Sequence, residues 1–312
     1  MKKSYILKRI LYMILTIFVI TTVTFFMMRA IPGDPLASMA RMLPEQTKAN
    51  FYAKYGLDQP LFIQYLTYMK NLLKLDLGES IVFAGRSVTQ TIAETSPISG
   101  LVGGIALIFG VVIGITLGIV AALHKNKVPD YIVMFVAILG VTIPVFVLAS
   151  LAQYVFAVKL DWLPASGWGK PINLVLPCMV MALSPIASYA RYIKSSMLDV
   201  LEQDYVLTAR AKGLSEGKVI FRHVLRNSML PAITMLSGSI VGIFTGAFVT
   251  EKMFAIPGIG YYYISSINNR DYTMILGTTV FYAVLFVVMQ LIVDFVYMIV
   301  DPRIRISGDA KE

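Results

Sequence analysis

Six long apolar runs constrain this chain more than any other feature. They span about Ile10–Met28, Pro97–Leu123, Tyr131–Val158, Ile172–Ala190, Met229–Thr250 and Tyr272–Val293, and none carries a charge inside those limits. At about 1.5 Å of rise per residue, about 20 apolar residues cross a bilayer core. A helix that leaves no backbone group unpaired is the structure such a run adopts in lipid. The expected class is therefore an all-α integral membrane protein with six transmembrane helices. The first run is longer than a usual signal-peptide core and is not followed by a small-x-small cleavage site, so it reads as a retained span. Composition agrees, because 57% hydrophobic and 14% charged residues cannot coat a soluble domain of 312 residues.

The net charge of +9 lies beside the spans. On one side are Lys2, Lys3, Lys8 and Arg9, then Lys125 and Lys127, then seven Lys and Arg residues between Arg191 and Arg226, then Arg303, Arg305 and Lys311. The opposite loops hold Lys159, Lys170, Lys252 and Arg270. This asymmetry places both termini in the cytoplasm of a multi-pass cell-membrane protein and argues against nucleic acid as a partner. Trp162, Trp168 and Tyr261–Tyr263 fall in the outer loops, where aromatic rings favour the headgroup layer. Cys178 lies in an apolar run and reads as packing. His124 and His223 stand far apart, and no Cys/His spacing suggests a metal.

Within the spans, Gly110, Gly114 and Gly118 form a double small-xxx-small repeat that lets a second helix approach closely. Pro144, Pro177 and Pro185 interrupt the third and fourth runs. They indicate either kinked helices lining a pathway or ordinary packing curvature. The last run continues a little beyond Val293, and Asp294 is the one acid in that extension, read as a functional group or, near the cytoplasmic end, as an interface ion-pair partner.

Two polar segments remain. Residues 32–96 are too long for a connector and alternate charged with apolar residues. After a tight exit at Pro32-Gly33-Asp34-Pro35, three short helices are expected. The first starts after Pro44 and covers Glu45–Tyr55, the second follows an Asp58 cap to about Leu75, and the third is Val88–Glu94 behind a Ser87 cap. This extracellular insertion either docks an external protein or covers the bundle. The second segment, about 202–228, is a basic helix–Gly–helix pattern. Glu202–Lys212 ends at Gly213, where a left-handed cap is cheap, and Ser215 caps a helix to about Asn227. Ala209, Ala211 and Gly213 keep the turn narrow, Tyr205 and Leu214 offer apolar contact, and Arg222 and Arg226 share a face. Such a tip suits a groove on a partner. The chain has no GxxxxGK[ST] loop; Gly167-Trp168-Gly169-Lys170 has neither the spacing nor a following helix, so any ATP-driven engine is a separate protein.

The string Ala209-Arg210-Ala211-Lys212-Gly213-Leu214, then Arg222-His223-Val224-Leu225-Arg226-Asn227, then Leu230-Pro231, resembles the cytoplasmic loop of permease subunits of ATP-binding-cassette importers of the peptide/nickel branch. The glutamate of the general pattern is absent, and Leu207 holds its place. Ordered matches run along the chain: the FFMMRAIPGDP exit, Lys54–Asp58, Asp76–Gly78, Ile256–Gly260, Asn269–Tyr272 and Asp301–Arg303. With the insertion, these resemble the B-type subunit of an oligopeptide or dipeptide permease.

The resemblance implies the type I ABC importer transmembrane-domain fold. It divides the chain into a cytoplasmic tail with the first span (1–31), an extracellular helical insertion (32–96) and a five-helix permease core (97–312). Its coupling loop contains Tyr205, Ala209, Arg210, Ala211, Lys212, Gly213 and Leu214. The implied function is a non-enzymatic permease subunit of an ATP-driven oligopeptide importer in a bacterial cell membrane. Its implied partners are a second permease, two cytoplasmic ATPases, an external substrate-binding lipoprotein, peptide and membrane lipid. ATP and Mg would sit on the ATPases, with no cofactor in this chain. Dipeptides, nickel, glutathione or another small solute are alternative cargoes. A stand-alone carrier or channel is the competing class, disfavoured by the absence of mid-membrane charges.

Overall fold

The computed structural model describes residues 3–30, 44–83 and 85–300, and α-helix dominates them throughout. In chain order the helices are α1 (Lys3–Ala30), α2 (Glu45–Lys54), α3 (Leu61–Leu73), α4 (Val88–Leu123), α5 (Val128–Thr142) and α6 (Val145–Ala152). After these come α7 (Val175–Leu201), α8 (Asp204–Ala211), α9 (Glu216–Val219), α10 (Leu225–Ser228), α11 (Leu230–Met253), α12 (Ile259–Asn269) and α13 (Tyr272–Val300). Among the described residues, four stretches are long and apolar enough to cross a membrane: Lys8–Ala30, Val88–Leu123, Pro171–Leu201 and Tyr272–Ile292. The expected fifth run is also a helix, the 24-residue α11.

The third run departs from expectation. It is broken rather than gently kinked: Val128–Thr142 and Val145–Lys159 meet at a bend of 107°. Pro144 lacks the N–H that would continue the helix, and Ile143 before it is extended at ψ 125°. Pro185, by contrast, lies inside an unbroken α7.

The chain divides into two compact units. The first comprises residues 1–99 and 257–287. Here α2 begins after Pro44, as its fixed φ favours. Helix α3 begins after Pro60 without the expected Asp58 cap, because the Asp58 carboxylate instead meets the Gln59 amide at 3.4 Å. The expected third short helix does not exist separately. Ser87 stands at the start of α4, its hydroxyl 3.4 Å from the Gln90 N–H, and the helix runs on for 36 residues, about 54 Å. Pro97 causes no break in it. On α1, Phe25 packs against Tyr65 and Tyr68 of α3, while Leu11, Tyr12, Ile14 and Leu15 stay exposed as a lipid-facing stripe.

Asp271 organises this unit. It is fully buried and caps α13 by accepting the Met274 N–H at 3.1 Å. The same carboxylate takes the N–H groups of Ile81 and Val82 at 3.1 and 3.3 Å, and the Ser80 hydroxyl donates to it. One acid therefore satisfies donors of the turn before α4 and of the first turn of α13. Around it Val88, Ile92, Ile259 and Met274 form an apolar core.

The second unit comprises residues 100–256 and 288–312. Helix α7 is its centre, and the glycine repeat on α4 does what its spacing promises. A Cβ at Gly110 would stand 2.6 Å from Pro185, at Gly114 2.8 Å from the Ile186 carbonyl, and at Gly118 2.8 Å from the Ala190 carbonyl. The two backbones touch because those positions have no side chain. Helix α5 packs on the same α7 and is tied to it by an ion pair. Asp130, 2% exposed, meets the Lys194 ammonium at 2.5 Å and accepts the Asn126 N–H at 3.0 Å. On another side Tyr189 of α7 donates to the Ala232 carbonyl of α11 at 3.4 Å. Cys178 is buried in α7, in contact with the Val102 carbonyl. The side chain of Asp294 and the Pro32–Pro35 exit lie outside the described residues, so those two readings carry no structural account.

Candidate functional site: the polar helical pair after α7

Helix α7 outlasts its apolar stretch and ends at Leu201; α8 follows after a short turn. The split of α8 into two faces is legible in its residues. Val206 and Ala209 are buried, together with Val219 and Val224 of the returning segment, against Ile193 and Met197 of α7. Tyr205, Leu207, Thr208 and Arg210 face outward. The pair is thus an extension of the α7 core, clamped from beneath by small and β-branched side chains.

The turn has a specific hydrogen-bond pattern. Gly213 sits in the left-handed region at φ +78° and donates to the Arg210 carbonyl at 2.9 Å. The Leu214 N–H reaches the Ala209 carbonyl at 3.4 Å. These two bonds make a Schellman cap and satisfy carbonyls that the end of α8 would otherwise leave open. A Cβ at Gly213 would meet nothing within 4 Å, so glycine is required there by backbone conformation and not by space.

Ser215 occupies the expected N-cap position, with its backbone extended and without a side-chain cap bond. The return is not the single α-helix expected to Asn227. It is α9, a π-helical stretch at Ile220–Val224, and α10. The wider turn lets Val219 and Val224 both point inward; π segments of this kind concentrate at functional sites.

Across the turn, Arg210 forms a forked pair with Glu216: Nε to Oε1 at 2.9 Å and Nη2 to Oε2 at 3.3 Å. The pair is exposed, so its contribution lies in fixing the turn's shape more than in stability. Lower down, the Asn227 amide donates to the Tyr205 hydroxyl at 3.0 Å. These clasps hold the two limbs side by side with Ala211, Lys212 and Leu214 exposed at the tip. Ala209 is only 6% exposed, and it narrows the packing beneath the tip without adding to its surface. Arg222 and Arg226 are both exposed.

Two contributors have a role not expected from sequence: Phe221 is not singled out there, and Leu207 is noted only as standing in the glutamate's place. Leu207 is 53% exposed and Phe221 70% exposed, although both lie outside the apolar runs. With Tyr205 and Leu214 they give the pair an apolar surface on otherwise charged helices, as a docking element would present. The signal was available: a leucine and a phenylalanine in a charged segment, each beside a buried or half-buried valine or isoleucine and off the inward periodicity. Among the described residues no group of His, Cys, Asp and Glu could hold a metal ion. What the arrangement can do is mechanical: a stiff, capped projection, rooted in the central helix, moves when whatever holds its tip moves.

Comparison with known proteins gives this geometry its setting. Residues 114–306 match the family model described as binding-protein-dependent transport system inner membrane component, and residues 2–97 match the corresponding N-terminal model. The chain is 46% identical over 302 residues to the dipeptide transport system permease protein DppB of Bacillus subtilis, covering 97% of this chain and 98% of that one. It is 41% identical over 304 residues to the oligopeptide transport system permease protein OppB of Salmonella typhimurium, covering 97% and 99%. Among solved structures, an inward-facing MetNI methionine ABC transporter superposes with a TM-score of 0.55 at 14% identity, over 68% of this chain and 97% of that one. An amino acid ABC transporter superposes with a TM-score of 0.53 at 13% identity, over 67% and 94%. The fold is that of a type I ABC importer transmembrane domain, and the chain belongs to the family of inner membrane components of binding-protein-dependent transport systems.

Proposed function

We propose that this chain is a permease subunit of an ATP-driven importer of peptides, with residues 205–214 as its coupling element. It forms the pathway with a second permease, receives cargo from an external binding protein and is moved by two ATPases that carry the ATP and Mg. Its termini both lie in the cytoplasm in this reading, which the Lys and Arg asymmetry supports. The observation that carries the coupling reading is the capped turn at Gly213, whose exposed tip is rooted in the core around α7. A displacement of the tip reaches α7 through packed Val206, Ala209 and Val219, because close-packed cores transmit strain. Peptide cargo is supported by the dipeptide and oligopeptide permease relatives, 46% and 41% identical. The residues 45–75, folded against α1, supply a surface for the binding protein.

The test is crosslinking in the assembled complex. Cysteines at Ala211 and Leu214 should each form a disulfide with a cysteine on the ATPase surface, whereas one at buried Ala209 should not. Absence of crosslinks at both exposed positions, across a panel of ATPase cysteines in an intact complex, removes the coupling role.

A further inference from the structure

The first unit holds a cavity of about 530 Å³ between the end of α1, helices α2 and α3, the turn before α4 and the start of α13. Its size is that of a small-ligand site. Three polar atoms on its lining residues are buried without a hydrogen-bond partner: Nε of Arg29, the Tyr68 hydroxyl and Oε1 of Gln64. Buried polar atoms are otherwise paired, so three around one cavity need a cause. The Arg29 guanidinium lies over two aromatic faces, 5.3 Å from the Phe25 ring centre and 5.4 Å from that of Tyr272. Among the described residues it has no carboxylate partner, and the cavity's two acids are engaged elsewhere: Glu79 meets Lys54 at 2.6 Å, and Asp76 accepts the Gly78 N–H at 2.9 Å. Such ring contacts use none of the guanidinium's N–H groups, so the buried Nε is left for an acceptor.

We propose that this cavity binds the C-terminal unit of a peptide, a carboxylate with an adjacent amide N–H. Arg29 and the Tyr68 hydroxyl donate to the carboxylate, and Gln64 Oε1 accepts the amide N–H. The Gln64 amide nitrogen already donates to the Gln59 carbonyl at 2.7 Å, which turns its oxygen side to the ligand. Burial holds the Tyr68 phenol above its usual range, so it stays a donor at neutral pH. A fork of planar N–H groups matches a carboxylate better than a point charge does. The assignment rests on the peptide-importer reading and adds a site within this subunit that reads the peptide's free end.

The test compares a peptide with its C-terminal amide in the complete importer, reconstituted in vesicles with saturating binding protein. Initial uptake and ATPase rate are measured for the wild type, Arg29→Gln and Tyr68→Phe. Losing a charged hydrogen-bonding partner should lower acid-peptide uptake about tenfold in Arg29→Gln and amide uptake by a smaller factor, and so collapse the acid-to-amide ratio. Tyr68→Phe should lower the same ratio by a smaller factor. If Arg29→Gln does not assemble, the Tyr68→Phe ratio decides. An unchanged ratio overturns the site, as does an equal fall for both peptides, which is the result expected if Arg29 serves packing or a lipid phosphate. A wild-type complex that imports neither peptide would instead sink the peptide reading itself.

Discussion

Replacing Lys194 by methionine should destabilise the protein by about 3 kcal/mol, and most of the loss should be recovered when Asp130 is neutralised as well. Methionine keeps most of the aliphatic volume, so packing is nearly conserved. What changes is the charge balance. The Asp130 side chain is 3% exposed and that of Lys194 21% exposed, with 2.5 Å between their charged atoms. In Lys194→Met the carboxylate keeps only the Asn126 N–H at 3.0 Å. Removing one partner of a buried pair costs about 3–5 kcal/mol, because the remaining charge is left without compensation. The partial exposure of Lys194 admits some water to the site, which selects the lower end of that range. In the double variant Lys194→Met/Asp130→Asn no charge is buried, the Asn126 bond persists to the amide oxygen, and the net cost should be about 1 kcal/mol or less. The coupling between the two changes is then at least about 2 kcal/mol, larger by whatever Asp130→Asn costs alone, and it opposes their sum. The assay is a double-mutant cycle of unfolding in mixed micelles with increasing denaturing detergent. A loss below about 0.5 kcal/mol in Lys194→Met, or a double variant no more stable than that single one, would refute the reasoning. Because the pair joins α5 to the helix that carries the polar turn, the single variant should also lower transport per ATP hydrolysed.

Two further outcomes follow from the glycines. Gly114→Ala should cost about 1–3 kcal/mol, since its Cβ would sit 2.8 Å from both the Ile186 carbonyl and the Tyr189 Cβ, forcing α4 from α7. Gly104→Ala on the same helix, with nothing within 4 Å, should be neutral or stabilising by up to about 1 kcal/mol, and thermal unfolding of the two variants separates packing from propensity. Gly213→Val should strain the φ +78° turn by about 1–2 kcal/mol while the spans still insert, giving a complex that assembles poorly or hydrolyses ATP without moving peptide. Uptake and ATPase rates in vesicles check this, and normal values for both would mean the turn does not couple.

The parts of this protein legible in its sequence are those set by local chemistry. Uninterrupted apolar runs must become helices in lipid, whatever surrounds them. The Gly213 cap was readable because a left-handed turn is a property of one residue and its helix end. The face of Gly110, Gly114 and Gly118 was readable because helical period is local, although that its partner is the Pro185–Ile193 side of α7 was not. Local signals also misled where competing ones were equally good. Ser87 reads as the start of a short helix and is the start of a 36-residue one, since nothing between Glu94 and Pro97 compels a stop. Pro144 reads as a kink, yet its helix turns by 107°, an angle that depends on what the two halves pack against. Pairs far apart in the chain left no trace in the sequence. Asp130 finds Lys194, Ser80 finds Asp271, and Arg29 of the first span lines one cavity with Gln64, Tyr68 and Tyr272. A charged or polar side chain announces only that it needs a partner or water. Which partner it finds is decided by the packing of helices distant in sequence, and that is a property of the tertiary structure alone.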